Sequence, residues 1–270
     1  MISVLSSAAP VGAFDSGVGG LSILKEVRKL LPHEDLIYLA DSAHCPYGNK
    51  PGLEIRRRTL EVTDYLVELG AKIIVVACNS ACVAGLDQLR ETHPELPVVG
   101  VEPAIKPAHD LTRNGKIGVL ATQLTLNGER FTMLVEQYGS GIEVYTQPAP
   151  GLVELAEAGQ ADSSAAAAII RQYLDPLLAK GVDTLVLGCT HYPFFRPLIE
   201  EIAPGLIVVD TGAAVARQTM RVLEEHDLLN AQLGPGGEQF FTSGDPELVR
   251  PVIQKLWSQI NVDVVKARIY

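Results

Sequence analysis

Two short stretches constrain this chain more than any other feature. Val75-Val76-Ala77-Cys78-Asn79-Ser80 and Val186-Leu187-Gly188-Cys189-Thr190-His191 share one plan. Each is an apolar, β-rich run that ends in a small residue, a cysteine and a polar pair, and each precedes a segment of helical composition. A continuous apolar run of this kind suits a strand buried on both faces of a parallel sheet. The plan therefore predicts two similar α/β units, each delivering one thiol at the carboxyl end of a strand.

The remaining chain supports that reading. Apolar runs at 11–14, 36–40, 72–77, 98–101, 116–121, 143–146, 184–187, 206–210 and 239–242 read as strands. They alternate with helical segments at 21–31, 53–69, 81–90, 129–137, 163–180, 193–202 and 246–260. Such alternation predicts α/β architecture with parallel sheets, here two similar units related by a pseudo-two-fold axis with a cleft between them. At 270 residues the chain has room for two modest domains. Ligands of parallel sheets gather at the carboxyl ends of strands, where Asp15, Tyr47, Cys78, Thr122, Cys189 and Asp210 all fall.

Composition excludes several classes. The net charge of −10 argues against direct nucleic-acid or anionic-lipid binding. The one basic cluster, Arg56-Arg57-Arg58, reads as a solvated or salt-bridging helix face. No apolar stretch reaches transmembrane length, and Met1–Ser7 lacks the leading positive charge of a signal peptide. Four cysteines (Cys45, Cys78, Cys82 and Cys189) are too few for a disulfide scaffold and point to free thiols in a reducing cytoplasm.

Asp15-Ser16-Gly17-Val18-Gly19-Gly20 follows the first strand. It lacks the Gly-Lys-Ser/Thr ending of a phosphate loop, and Ser22 stands where the dinucleotide fingerprint needs Gly or Ala. A loop presenting Asp15 and Ser16, with glycines permitting close backbone approach, fits better than nucleotide binding. Zinc would require Cys78 with Cys82, or Cys189 with His191, at irregular spacings. A cysteine hydrolase built on Cys189 and His191 would leave Cys78 idle. Two thiols at equivalent strand ends instead suit a racemase, which needs one base on each face of a stereocentre. Cys78, next to a helix N-terminus, is expected to have a lowered pKa there. Cys82, a turn further on, reads as an inert packed thiol.

These motifs, with Pro46-Tyr47-Gly48 and Gly188-Cys189-Thr190-His191-Tyr192-Pro193, strongly resemble the glutamate racemases, in matching order from about residue 10 to about 220. The resemblance implies interconversion of L- and D-glutamate for peptidoglycan in the cytoplasm, without pyridoxal phosphate or metal, by a homodimer. It implies Cys78 and Cys189 as the two bases, Cys78 handling the proton of D-glutamate and Cys189 that of L-glutamate. Asp15 would assist Cys78, and His191 and Glu157 would assist Cys189. Substrate contacts would come from Asp15, Ser16, Tyr47, Gly48, Asn79, Ser80, Thr122, Thr190 and His191. Ser80 stands where the family more often has Thr, and keeps the hydroxyl. His44 and Cys45 acquire no role. The implied domains are 1–97 with 210–270, and 98–209. A racemase for aspartate or another amino acid shares the two-thiol logic, and a binding protein that has lost turnover shares the fold.

Overall fold

The computed structural model describes residues 6–258 and 261–269. The N-terminal run weighed above as a signal peptide lies mostly outside them, as does the end of the helix expected to reach residue 260. The chain opens with β1 (Val11–Asp15), α1 (Leu21–Leu30), β2 (Leu36–Ala40), α2 (Gly52–Glu68), β3 (Ile73–Val76), α3 (Asn79–Thr92) and β4 (Val98–Gly100). It continues through α4 (Ile105–Leu111), β5 (Lys116–Ala121), α5 (Gln123–Leu126), α6 (Glu129–Tyr138), β6 (Glu143–Pro148) and α7 (Leu152–Glu157). Next come α8 (Ser164–Ala179), β7 (Thr184–Gly188), α9 (Arg196–Ile202) and β8 (Ile207–Val209). It closes with α10 (Gly212–Glu225), β9 (Glu238–Thr242), α11 (Pro246–Trp257) and β10 (Val264–Lys266).

Two parallel sheets result. One runs β10-β9-β2-β1-β3-β4 and the other β6-β5-β7-β8. The order β2-β1-β3-β4 in the first is the order β6-β5-β7-β8 in the second, so the units repeat strand for strand. Cys78 follows β3, Cys189 follows β7, and these strands occupy equivalent places. In both, the chain reverses its direction of travel across the sheet beside the first strand, which opens a crevice at the strand ends.

The repeat also corrects one expectation. Val98–Gly100, read in sequence as opening the second unit, pairs with β3 and forms the edge of the first sheet. A three-residue strand carries no local sign of which sheet it will join. Pairing here is set by register, with Ile74 against Val98 and Val76 against Gly100.

Burial explains why the strands form. All residues of β1, β2, β3 and β7 are buried. Fully burying a Val, Leu or Ile side chain contributes about 1.5–3 kcal/mol. The C-terminal segment completes the first unit: Val215 and Leu223 of α10, Phe240 of β9 and Ile253 of α11 all join its core. Trp257 stacks edge-on against Phe240, which in turn meets Tyr38. Three elements were not anticipated, among them the four-residue helix α5, whose N-cap Thr122 accepts the Thr125 amide. Helix α4 spans seven residues and contains Pro107 at its third position, where proline is tolerated because first-turn amides need no helical partner. Strand β10 is a three-residue edge.

Candidate active site

Asp15 ends β1 and is wholly buried. One carboxylate oxygen accepts the Ser16 amide at 2.7 Å. The other accepts the Gly20 amide at 2.7 Å and the Thr190 hydroxyl at 3.0 Å, so the first strand of one unit is tied to the polar pair of the other. The glycine-rich loop is shaped by what it touches. A Cβ at Gly17 would collide with the Glu157 carboxylate, and one at Gly19 with the His191 ring and Asp15. Close approach, anticipated from the glycines, is therefore approach to the acid–base groups of the second unit.

Cys78 is the N-cap of α3 in an extended conformation and is 5% exposed. Its expected low pKa is not found. Burial, followed by the charge of Asp15, pushes the thiol well up, although the Ala81 and Ser16 amides pull the other way. The helix N-terminus acts in the expected direction and is outweighed. Asp15 itself is raised, by burial first, with the nearby His191 ring opposing.

The second thiol has a different neighbourhood. The sulfur of Cys189 lies 3.8 Å from Nδ1 of His191. Nε2 of that ring lies 2.6 Å from Oε1 of Glu157, which also accepts the Val18 amide at 2.6 Å. Burial pulls the His191 pKa down, but hydrogen bonds to Cys189, Cys45 and Glu157 and the charge of Asp15 together hold it well above its ordinary value. The ring is thus an imidazolium beside Cys189, with Asp15 3.9 Å from its Nδ1. One sulfur sits by a cation and the other by a carboxylate.

Both cysteines, Asp15, Ser16, Tyr47, Gly48, Asn79, Ser80, Thr122, Thr190 and His191 line one cavity. Glu157 stands behind it, against His191. The hydroxyls of Ser80 and Thr122 lie 3.3 Å apart, and Thr122 bonds Thr125 at 3.0 Å. Asn79 Nδ2 is buried with no partner among the described residues. The cavity holds about 10 Å³, roughly the space of a single water. A hollow of about 250 Å³ adjoins it, sharing Pro46, Gly48, Thr122 and Val153 and adding Gln123, Pro148, Glu154 and Tyr192. Pro46 and Val153 were not anticipated, being apolar residues with no chemical signature in sequence.

Tyr47 reaches the site in an unexpected way. Its hydroxyl is not free for an anion; it donates to Asp41 at 2.5 Å. Asp41 is wholly buried and is gripped by Arg58 at 2.7 and 3.1 Å. Arg58, expected on a solvated or salt-bridging face, is a buried partner for a buried acid. A signal existed: with Ile55, Val62 and Leu66 it falls on the inward stripe of α2. His44 is a partly exposed loop residue whose Nδ1 lies 3.1 Å from Asp41. Cys82 is packed away from the site, where its sulfur accepts the Val101 amide at 3.2 Å. Burial pushes its thiol up to about 12.

Comparison with known proteins agrees with this geometry. Residues 21–219 match the Asp/Glu/Hydantoin racemase family. The chain is 51% identical over 253 residues to the glutamate racemase of Stutzerimonas stutzeri (strain A1501), covering 93% of this chain and 95% of that one. Its fold is similar to the glutamate racemase of Thermus thermophilus in complex with beta-chloro-D-alanine, with TM-score 0.82, 36% identity and 98% of both chains covered. It is likewise similar to the Escherichia coli glutamate racemase in complex with L-glutamate and the activator UDP-MurNAc-ala. There the TM-score is 0.81 at 35% identity, over 96% of this chain and 97% of that one. The chain belongs to the Asp/Glu/Hydantoin racemase family.

Proposed function

We propose that this protein interconverts L- and D-glutamate without a cofactor, by proton transfer between two cysteines. The observation that carries the reading is the delivery of Cys78 and Cys189, from equivalent strands of two sheets, into one cavity. Inverting a stereocentre through a carbanion needs a base and an acid at once. Cys189, beside the His191 cation, is the base. Cys78, its thiol held protonated by burial and by Asp15, is the acid. By the facial roles that the resemblance implies, Cys189 takes the α-proton of L-glutamate and Cys78 returns one to the opposite face. The reverse direction exchanges the roles, with Asp15 accepting proton density near Cys78 and Glu157 steadying His191.

An α-proton is far less acidic than a thiol, so the site must stabilise the developing negative charge. Asn79 Nδ2, a buried donor lacking an acceptor, supports this role. The amides that open α3 and the hydroxyls of Ser16, Ser80, Thr122 and Thr190 are further donors for two carboxylates. Tyr47 contributes through its place in the wall rather than through its hydroxyl.

The decisive experiment is racemisation and α-proton exchange in deuterated water. Glutamate should acquire deuterium as it inverts. Activity on aspartate with none on glutamate would overturn the substrate assignment, and intact racemisation in both Cys78→Ala and Cys189→Ala would end the two-base mechanism. The proposal extends to a cytoplasmic homodimer supplying D-glutamate for peptidoglycan. That extension rests on the family likeness. Among the described residues, no helix is long and apolar enough to cross a membrane.

A further inference from the structure

Cys45 transfers no proton in the chemistry proposed above, yet its thiol is hydrogen-bonded to that chemistry's proton-handling ring. Its sulfur, a Glu157 carboxylate oxygen and a His191 ring nitrogen all lie within 4.8 Å of one another, and no other such group occurs among the described residues. A thiol, a carboxylate and an imidazole form a donor set suited to zinc, whose catalytic-type sites use three protein ligands and one water. Three separate segments supply them: the loop between β2 and α2, helix α7, and the turn after β7. The second unit and the glycine-rich loop hold two of them firmly. Glu157 is fixed by the Val18 amide and His191 is buried. Cys45 already hydrogen-bonds the His191 ring, and its thiol makes one further long contact, 3.9 Å to the Ser16 hydroxyl. Cys45 and Glu157 are both partly exposed, so an ion has a path in from solvent.

The spacing is compatible with a metal. Nε2 of His191 and Oε1 of Glu157 are now joined by a proton at 2.6 Å. Around zinc, with bonds of about 2.0–2.3 Å, ligand atoms in a tetrahedral arrangement lie roughly 3.3–3.8 Å apart. The N···O pair must open by less than an ångström, and Cys45 must swing inward.

We propose that Cys45, Glu157 and His191 form an inhibitory zinc site, completed by water, that disables the proton relay. Binding replaces two protons, one from the Cys45 thiol and one from Nε2 of His191, and both leave to solvent. The ring then acts as a metal ligand and no longer as the imidazolium beside Cys189, and Glu157 is drawn from the ring to the ion. Substrate turnover should stop while the fold is kept.

The effect on turnover rests on the racemase reading; the metal site does not, so the two are tested separately. Cobalt(II) is titrated into the full chain and into Cys45→Ser. The wild-type protein should take one equivalent and develop a thiolate-to-cobalt absorption band in the near ultraviolet, and Cys45→Ser should lack that band. Zinc chloride is then added during glutamate racemisation, with EDTA to reverse it. Measured against its own zinc-free rate, Cys45→Ser should need at least about tenfold more zinc for half-inhibition, a difference of about 1.4 kcal/mol in binding. A cobalt band that persists in Cys45→Ser and disappears in Cys189→Ser would place the metal on the second base and overturn the proposal. So would equal zinc sensitivity of the wild type and Cys45→Ser. If neither protein racemises glutamate, the cobalt spectra still decide whether the site exists.

Discussion

Residues at this site do different work because of neighbours that lie far off in the chain. Cys78 and Cys189 were legible as a pair because each ends an apolar strand. Their inequality was partly legible, since Thr190 and His191 directly follow Cys189; the rest was not, because Asp15 reaches Cys78 only through the pairing of β1 with β3, and Glu157 reaches His191 only through the fold. The same is true of Tyr47, whose hydroxyl goes to Asp41 and through it to Arg58. Removing one partner of a buried ion pair leaves the other charge stranded, at a cost of about 3–5 kcal/mol. Arg58→Met should therefore lower unfolding free energy by roughly that amount in urea titration, and should raise KM for glutamate by loosening the Tyr47–Gly48 wall. An effect under 1 kcal/mol, about that of an exposed ion pair, would remove Arg58 from this role. His191 makes a prediction with pH. Its folded pKa lies above the unfolded value of about 6.5, because its partners outweigh burial. The stabilisation it brings is complete below about pH 6.5 and is lost as pH rises through the folded pKa. Denaturation curves from pH 6 to 9 should show stability falling, and His191→Asn should flatten that slope.

Most elements could be read from the chain because strands buried on both faces are continuous apolar runs, and long helices show their inward stripe. What escaped was short or non-local: α4 with its internal proline, the four-residue helix α5, the edge strand β10, and the sheet to which β4 belongs. The glycine-rich loop was half legible. Its lack of a nucleotide fingerprint was plain, but its contact with Glu157 and His191 depends on how the units close. Gly17→Ala should push the Glu157 carboxylate aside, break its bond to the Val18 amide and disturb His191. We expect kcat to fall by about 10²-fold, the scale of losing a well-placed acid–base partner, with little change in thermal unfolding. Gly52→Ala is the control. Nothing lies within 4 Å of its would-be Cβ, and in the first turn of α2 it should stabilise by about 0.4–1 kcal/mol through the unfolded chain.

At the scale of the molecule, two α/β units of the same strand order close on a cavity too small for an amino acid. The bonds Asp15–Thr190, Val18–Glu157 and Ser22–Thr190 cross between them. Glutamate must part these contacts or enter through the adjoining hollow beside Val153 and Tyr192. The repeat of architecture with a change of neighbours explains how one near-symmetric site handles both hands of a substrate. The most direct measurement is α-proton exchange in deuterated water, with each enantiomer of glutamate supplied separately to Cys78→Ser and to Cys189→Ser. Two-base chemistry predicts that Cys78→Ser still exchanges L-glutamate far faster than D-glutamate, that Cys189→Ser shows the opposite preference, and that neither racemises appreciably. Equal exchange of both enantiomers by each variant, or racemisation at the wild-type rate, would contradict the assignment of one thiol to each face.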